Sequence, residues 1–321
     1  MEMDIKRFLL HLLLGTGAAL VIFLTSLQVP LLGVVTSILT PLPVMILCHF
    51  WGLRGGILAV LIASLVISTA FNALLGLIFL TEFGLLGILL YYYLARRGLP
   101  WDRGIVFSSS IVLGIMALLA ISYGMFTSSS LTDWIREEIH ETGRRLLEFY
   151  PVENPEDQSL WIASDRFLGF VLRIFPALLI LTLWLEGIVN ILLLRRIMSR
   201  TPAGDGGIVV SPEFSTWMCP DKLVWAGILG SFLIMTKVSP LLTIGINTVI
   251  LLLAVYFLQG IAIVSFFFKK KNVPLGFRVI GYMLLGIIQF LPFLVAALGL
   301  FDIWIDFRKL RPRVAAYKKS L

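Results

Sequence analysis

Apolar stretches of about twenty residues, almost free of charge, recur along this chain at 8–28, 31–51, 55–73, 75–95, 104–126, 167–195, 222–238, 240–268 and 279–301. A helix needs about that length to cross the roughly 30 Å hydrocarbon core of a bilayer. The breaks between stretches are chemically sensible. Pro30 follows the first, and Arg54-Gly55-Gly56 divides the second from the third. Arg96-Arg97-Gly98-Leu99-Pro100 ends the fourth, and Lys269 to Lys271 with Pro274 ends the eighth. The pattern predicts an all-α polytopic membrane protein of eight or nine transmembrane helices. The stretch 8–28 is longer than the apolar region of a secretory signal and is followed by no small-x-small cleavage pattern, so it reads as a retained first helix.

Composition agrees with the pattern. The chain is 59% hydrophobic and only 14% charged, against about one quarter charged in ordinary globular domains. Too little charge is present to cover a water-facing surface. The net charge of +7 would suggest nucleic acid in a soluble protein. In a membrane chain it reports topology, because Lys and Arg gather in cytoplasmic loops, and no nucleic-acid partner is expected.

With the N-terminus inside, Lys6 and Arg7, Arg54, Arg96, Arg97 and Arg103, Arg195, Arg196 and Arg200, and Lys269 to Lys271 all fall on the cytoplasmic side. The loop 127–166, with nine acidic residues against four arginines, faces out. The ninth stretch disturbs this order, because the tail after Leu300 carries six Lys or Arg and would end outside. The count of eight or nine, and the side of the C-terminus, stay open on sequence alone.

Within that loop, Leu131, Trp134, Ile135, Ile139, Leu146, Phe149 and Tyr150 share one face at helical spacing. Ser130 and Asp133 read as a capping box, and Pro151 stops the helix. The predicted amphipathic helix 131–150 is either a lid over an outward cavity or a helix resting on the membrane surface. A shift to Gly, Pro and Ser at 199–221 divides a six-helix front part, 1–198, from C-terminal helices and a basic tail, 222–321.

Motifs that would carry catalysis are missing. There is no phosphate-cradling GxxxxGK[ST] loop, no HExxH, no GxSxG and no EF-hand pattern. The three histidines, His11, His49 and His140, and the two cysteines, Cys48 and Cys219, have no metal-ligand spacing. No enzymatic activity, cofactor or metal is expected. His49, beside Trp51, reads as an interfacial side chain.

What remains is polar chemistry inside apolar helices, where an ionisable side chain costs about 2.5 to 3.5 kcal/mol on insertion scales and faces the bundle interior. The ionisable groups are Glu82, Arg173 and Glu186, joined by Asn72, Asn190, Asn247, Gln259 and Gln289. In the predicted topology Asn72, Glu82 and Arg173 lie toward the outer half. They form, with Tyr123, a candidate substrate-binding set. Glu82 and Arg173 could pair structurally or anchor a charged ligand. Glu186 and Asn190, one turn apart on one helix face, serve either a neighbouring helix or a solute path. Gly15 with Ala19, and Gly52 with Gly56, have the spacing that lets helices approach closely, within the chain or against a partner subunit.

Residues 30–98 carry "PLP", an apolar helix, the turn "FWGLRGG" and "LLGLIFLTEFGLLGILLYYYLARRG". This part resembles the six-helix S components of energy-coupling-factor transporters, and the likeness covers about 1–195. It implies that Pro41 and Pro43 start or bend the second helix, and that Gly55 and Gly56 allow a tight cytoplasmic turn. The S components dock a coupling subunit on a small-residue face, which Gly15, Ala18 and Ala19 match in part. The C-terminal "YFLQGIAIVSFFFKKK" and "LGLFDIWIDFRKLRPR" resemble the YybS family of bacterial membrane proteins, a likeness that would run through nearly the whole chain. These resemblances imply a multi-pass protein of the bacterial cytoplasmic membrane. It would bind or transport a small solute with energy from another subunit or an ion gradient. The alternative is a scaffold that holds partner proteins through its helices and basic tail.

Overall fold

A computed structural model describes residues 2–28, 30–127, 137, 141, 158–199 and 213–310 of the chain. The predicted amphipathic helix 131–150, and the tail beyond Leu310, lie outside the described residues apart from Glu137 and Glu141. Every regular element among the described residues is helical. Among the described residues, six helices are long and apolar enough to cross a membrane, or up to seven if one bent pair counts as a span. The chain forms two compact units. The first comprises Met1–Leu168 with Leu179–Ser211, the second Gly169–Leu178 with Pro212–Leu321.

In the first unit, α1 (Glu2–Gln28) is followed by α2 (Pro30–Leu39) and α3 (Pro41–Ala70). Helix α3 is broken at Gly52, whose φ of 72° and ψ of −178° are non-helical. A continuous helix would hold Gly56 and Val44 about 18 Å apart. Instead a Cβ on Gly56 would lie 3.5 Å from the Val44 carbonyl and would also strike the Cys48 sulfur. The chain therefore doubles back at Gly52: α2 with the first limb of α3 covers the predicted stretch 31–51, and the second limb covers the predicted stretch 55–73. The tight turn comes from Gly52, however, not from Gly55 and Gly56. Those two supply the absent side chains that let the returning helix lie against the one before it. The conformation of Gly52 is nearly reserved for glycine. Gly52→Ala should accordingly lower stability by about 1–3 kcal/mol, read as a drop in melting temperature in lipid nanodiscs. Gly17→Ala, which meets nothing within 4 Å, should leave the melting temperature unchanged or raise it.

Helix α1 packs on α2 and α3. A Cβ on Gly15 would lie 2.6 Å from the Leu47 side chain, and Ala19 is buried with Phe23, Ala63, Ile67, Phe79 and Phe83. The glycine and one alanine of the presumed docking face are thus taken up by the chain's own core, while Ala18 is exposed. The next pass starts at α4 (Ala73–Ile78), runs through a π-helical turn, Phe79–Gly84, and continues as α5 (Leu85–Tyr91). Phe79 and Phe83 of that turn meet Phe23 edge-on at 5.3 and 5.6 Å between ring centroids. Helix α6 (Trp101–Thr127) follows, and the C-terminal part of α7 (Gln158–Met198) completes the unit.

In the second unit, α8 (Leu223–Met235) has 13 residues. At 1.5 Å per residue it is about 20 Å long, too short to cross the hydrocarbon core. It packs on α9 (Ser239–Lys270), which has 32 residues. The predicted ninth span is two helices, α10 (Leu275–Ile287) and α11 (Leu291–Ile305), bent 107° from each other. Pro292 sits at the start of α11, where a missing N–H costs nothing.

The middle of α7, Gly169–Leu178, also belongs to this unit and carries Pro176. A proline there clashes with the preceding turn and opens the helical hydrogen-bond ladder. Asn247 of α9 fills the gap. Its amide nitrogen donates to the Arg173 carbonyl at 2.7 Å, and its amide oxygen accepts from the Ala177 N–H at 2.7 Å. One side-chain amide thus replaces the backbone bond that Arg173 and Ala177 would make with each other.

Candidate functional site

Glu186 and Asn190 lie one turn apart on α7, and both are fully buried, at 1% and 0% exposure. Asn190 is tied from two sides. Its amide nitrogen donates to the Ile38 carbonyl at 2.6 Å and to the Glu186 carbonyl at 2.7 Å. Its amide oxygen has no hydrogen-bond partner among the described residues, and neither has either oxygen of the Glu186 carboxyl. Around them α7 packs tightly on α6. A Cβ on Gly187 would come 2.9 Å from Ile105, and the Trp184 indole donates to Ser109 at 3.2 Å.

Glu82, half-buried in the π-helical turn, is near enough to Glu186 for their charges to act on each other. The turn is made by the Leu85 N–H reaching back to the Leu80 carbonyl. That wider winding, a feature often found at functional sites, rotates the residues within it relative to an ordinary helix. Two glutamates that are 104 positions apart in the chain thus lie within reach of each other's charge. Separation in sequence hid this proximity. The sequence reading placed Glu82 toward the outer half and Glu186 in the inner half.

The other candidates lie elsewhere. Asn72 is the N-cap of α4, and its side-chain oxygen accepts from the Leu75 N–H at 2.8 Å. Such a cap satisfies a helix-end donor and commits the oxygen locally. Tyr123 is about half exposed near the end of α6. Arg173 belongs to the second unit, where its carbonyl receives Asn247. The His49 ring stands beside Phe50 and Tyr91, with its Nδ1 buried. It is Trp51 that contacts α1, donating to His11 at 3.1 Å.

The second unit contains a polar cluster of the opposite kind, whose buried carboxylate is paired, though the Arg308 Nε has no hydrogen-bond partner among the described residues. Asp302 of α11 accepts from the Arg308 guanidinium at 2.9 Å, from the Gln259 amide at 3.1 Å and from the Phe307 N–H at 2.9 Å. Arg308 also donates to the Ser215 and Trp217 carbonyls, each at 2.9 Å, while the Gln259 oxygen accepts from the Cys219 N–H at 3.0 Å. The ion pair is fully enclosed, at 0% and 2% side-chain exposure. Charges buried this deeply persist when paired and hydrogen-bonded on several sides. Beside them, burial first and the nearby Asp221 carboxylate second push the Cys219 thiol up to about 12, so it stays an unreactive thiol. Two residues before Ser215, Glu213 pairs with Lys269 at 2.8 Å, and hydrogen bonds from Lys269 and Ser215 hold its exposed carboxyl below the usual range. Gln259 was visible as an intramembrane polar residue. Asp302 was not, because it falls one residue past the ninth apolar stretch and reads there as a boundary charge.

A chain of apolar helices, broken by tight glycine turns and holding carboxyl groups in its interior, is a polytopic membrane protein in contact with the lipid bilayer. A family model described as a predicted membrane protein, DUF2232, matches residues 17–303, and the chain belongs to that family. No curated protein and no solved structure matches it.

Proposed function

We propose that the protein binds, and moves, a small solute through its first unit, as a multi-pass protein of the bacterial cytoplasmic membrane. The observation that carries this reading is the Glu186 carboxyl, enclosed in apolar helices with no hydrogen-bond partner among the described residues. An intramembrane ionisable group without an internal partner is by default a functional group. A purely structural one would be paired, as Asp302 is in the second unit. The likeness of 1–195 to transporter S components points the same way by analogy of fold alone. Energy comes from another subunit or an ion gradient, and no catalytic step is assigned.

The N-terminus is cytoplasmic in this reading. The 107° bend between α10 and α11, with Arg308 and Lys269 both fastened to the segment 213–217, supports a tail that leaves on the same side as Lys269 to Lys271. That arrangement removes the conflict with the positive-inside pattern.

Native mass spectrometry of the protein released gently from its own membrane tests the reading. A discrete small-molecule adduct is expected, reduced at least tenfold in Glu186→Gln and retained in Gly17→Ala. A spectrum with no adduct in the unaltered protein removes it. The second reading, a scaffold for partner proteins, is favoured by the Asp302–Arg308 cluster, in which buried charges of the second unit satisfy one another rather than a solute. A co-purifying membrane protein without an adduct would select it.

A further inference from the structure

The orphaned atoms around Glu186 share one property. Both carboxyl oxygens and the Asn190 amide oxygen are hydrogen-bond acceptors, and the charge felt from Glu82 is that of another carboxyl. Asn190 has already spent its two N–H groups on the Ile38 and Glu186 carbonyls, so its oxygen is turned to whatever is left. A buried acceptor without a donor is costly, and a buried carboxylate more so. A collection made only of acceptors is satisfied by a species that brings positive charge or protons and nothing else.

The neighbours offer no internal candidate. Beside the site on α7, Gly187 packs against Ile105 of α6 and Trp184 donates to Ser109, whose hydroxyl in turn donates to the Ile105 carbonyl. From α2 it meets a backbone carbonyl. Glu82 is the titratable group acting on Glu186 among the described residues, and no lysine, arginine or histidine reaches it.

We propose that the buried, unpartnered oxygens of Glu186 and Asn190 form a binding site for a single small cation, a proton or a sodium ion. The inference deepens the solute-binding reading and rests on it for its purpose, since a cation taken up here would couple movement of the solute to an ion gradient. When a proton occupies the site, one carboxyl carries it as an O–H and donates to a neighbouring acceptor. When sodium occupies it, the same oxygens are ligands, as oxygen donors suit a hard cation. In both cases the positive charge offsets that of a carboxylate shut away from water.

Infrared difference spectroscopy of the full-length protein in nanodiscs reads this directly, with pH steps in choline chloride and with sodium chloride added at fixed pH. A carboxyl signal that responds to pH, to sodium or to both, and that is lost in Glu186→Gln, is expected. Response to pH alone identifies the proton, and response to sodium at constant pH identifies the metal ion. Glu82→Gln keeps Glu186 in place and removes the nearby charge, so the midpoint of the remaining signal must shift. This second variant decides the matter if Glu186→Gln fails to fold. A Glu186 carboxyl silent to pH and sodium alike, or a midpoint unmoved in Glu82→Gln, overturns the proposal. A responsive carboxyl in a protein that carries no solute adduct would keep the cation site and remove the solute reading. An adduct with a silent carboxyl would do the reverse.

Discussion

Replacing Arg308 with alanine is expected to destabilise the protein by about 3–5 kcal/mol, because it leaves Asp302 buried and without its counter-charge. The loss should exceed what the ion pair contributes as a pair. Arg308 also closes the Ser215 and Trp217 carbonyls, so three buried acceptors lose donors together. The double variant Asp302→Leu with Arg308→Met removes both charges and should recover a large part of the stability, since an apolar replacement of a buried pair is often close to neutral. Thermal denaturation in nanodiscs, followed by intrinsic fluorescence, supplies the measurement. A single variant that melts with the unaltered protein would mean that the Asp302 cluster is open to solvent. A double variant no better than the single would mean that the carbonyl contacts, rather than the charges, dominate.

Replacing Gly299 with leucine should be nearly as damaging. Helices α9 and α11 touch backbone to backbone where Gly260 meets Gly299. A Cβ on Gly299 would run into the Tyr256 carbonyl and come within 2.8 Å of the Gly260 nitrogen. One on Gly260 would run into the Val295 carbonyl. Backbone cannot step aside as a flexible side chain can, so the helices must part, and overpacking of this kind costs about 1–3 kcal/mol. In lipid, where association depends on close contact rather than on expulsion of water, that contact is a main source of cohesion. The Gln259 to Asp302 hydrogen bond lies beside the crossing and would be stretched with it. Gly286→Ala, by contrast, meets nothing within 4 Å and should be neutral or slightly stabilising. Equal melting temperatures for Gly299→Leu and Gly286→Ala would show that the two helices do not cross in contact.

The contrast between these helices and the rest of the chain shows what a sequence of this kind makes legible. The 20-residue apolar period marked the first six passes well, because bilayer thickness imposes it from outside. It failed where no such outside rule acts. The stretch 222–238 is as apolar as any other, yet its helix closes after 13 residues. The stretch 279–301 hides a sharp bend at Ile288 to Phe290, for which Gln289 and Pro292 were the available signals. At "FWGLRGG" three glycines competed for one turn, and only the backbone angle identifies Gly52. Asn72 looked like a ligand because a polar residue in an apolar run draws attention, yet capping a helix employs the same oxygen. The proximity of Glu82 to Glu186 is set by the folding of distant helices, which leaves no mark in local sequence.

The bend between α10 and α11 also bears on how the chain is made. In the re-entrant reading proposed above, the pair asks the insertion machinery to carry none of its flanking charge across. Six basic residues follow Leu300, and hauling them through hydrocarbon would oppose the membrane potential as well as the bilayer. Arg308 reaches back 93 residues to the Ser215 carbonyl, so this contact can form only after the helices between them have been synthesised.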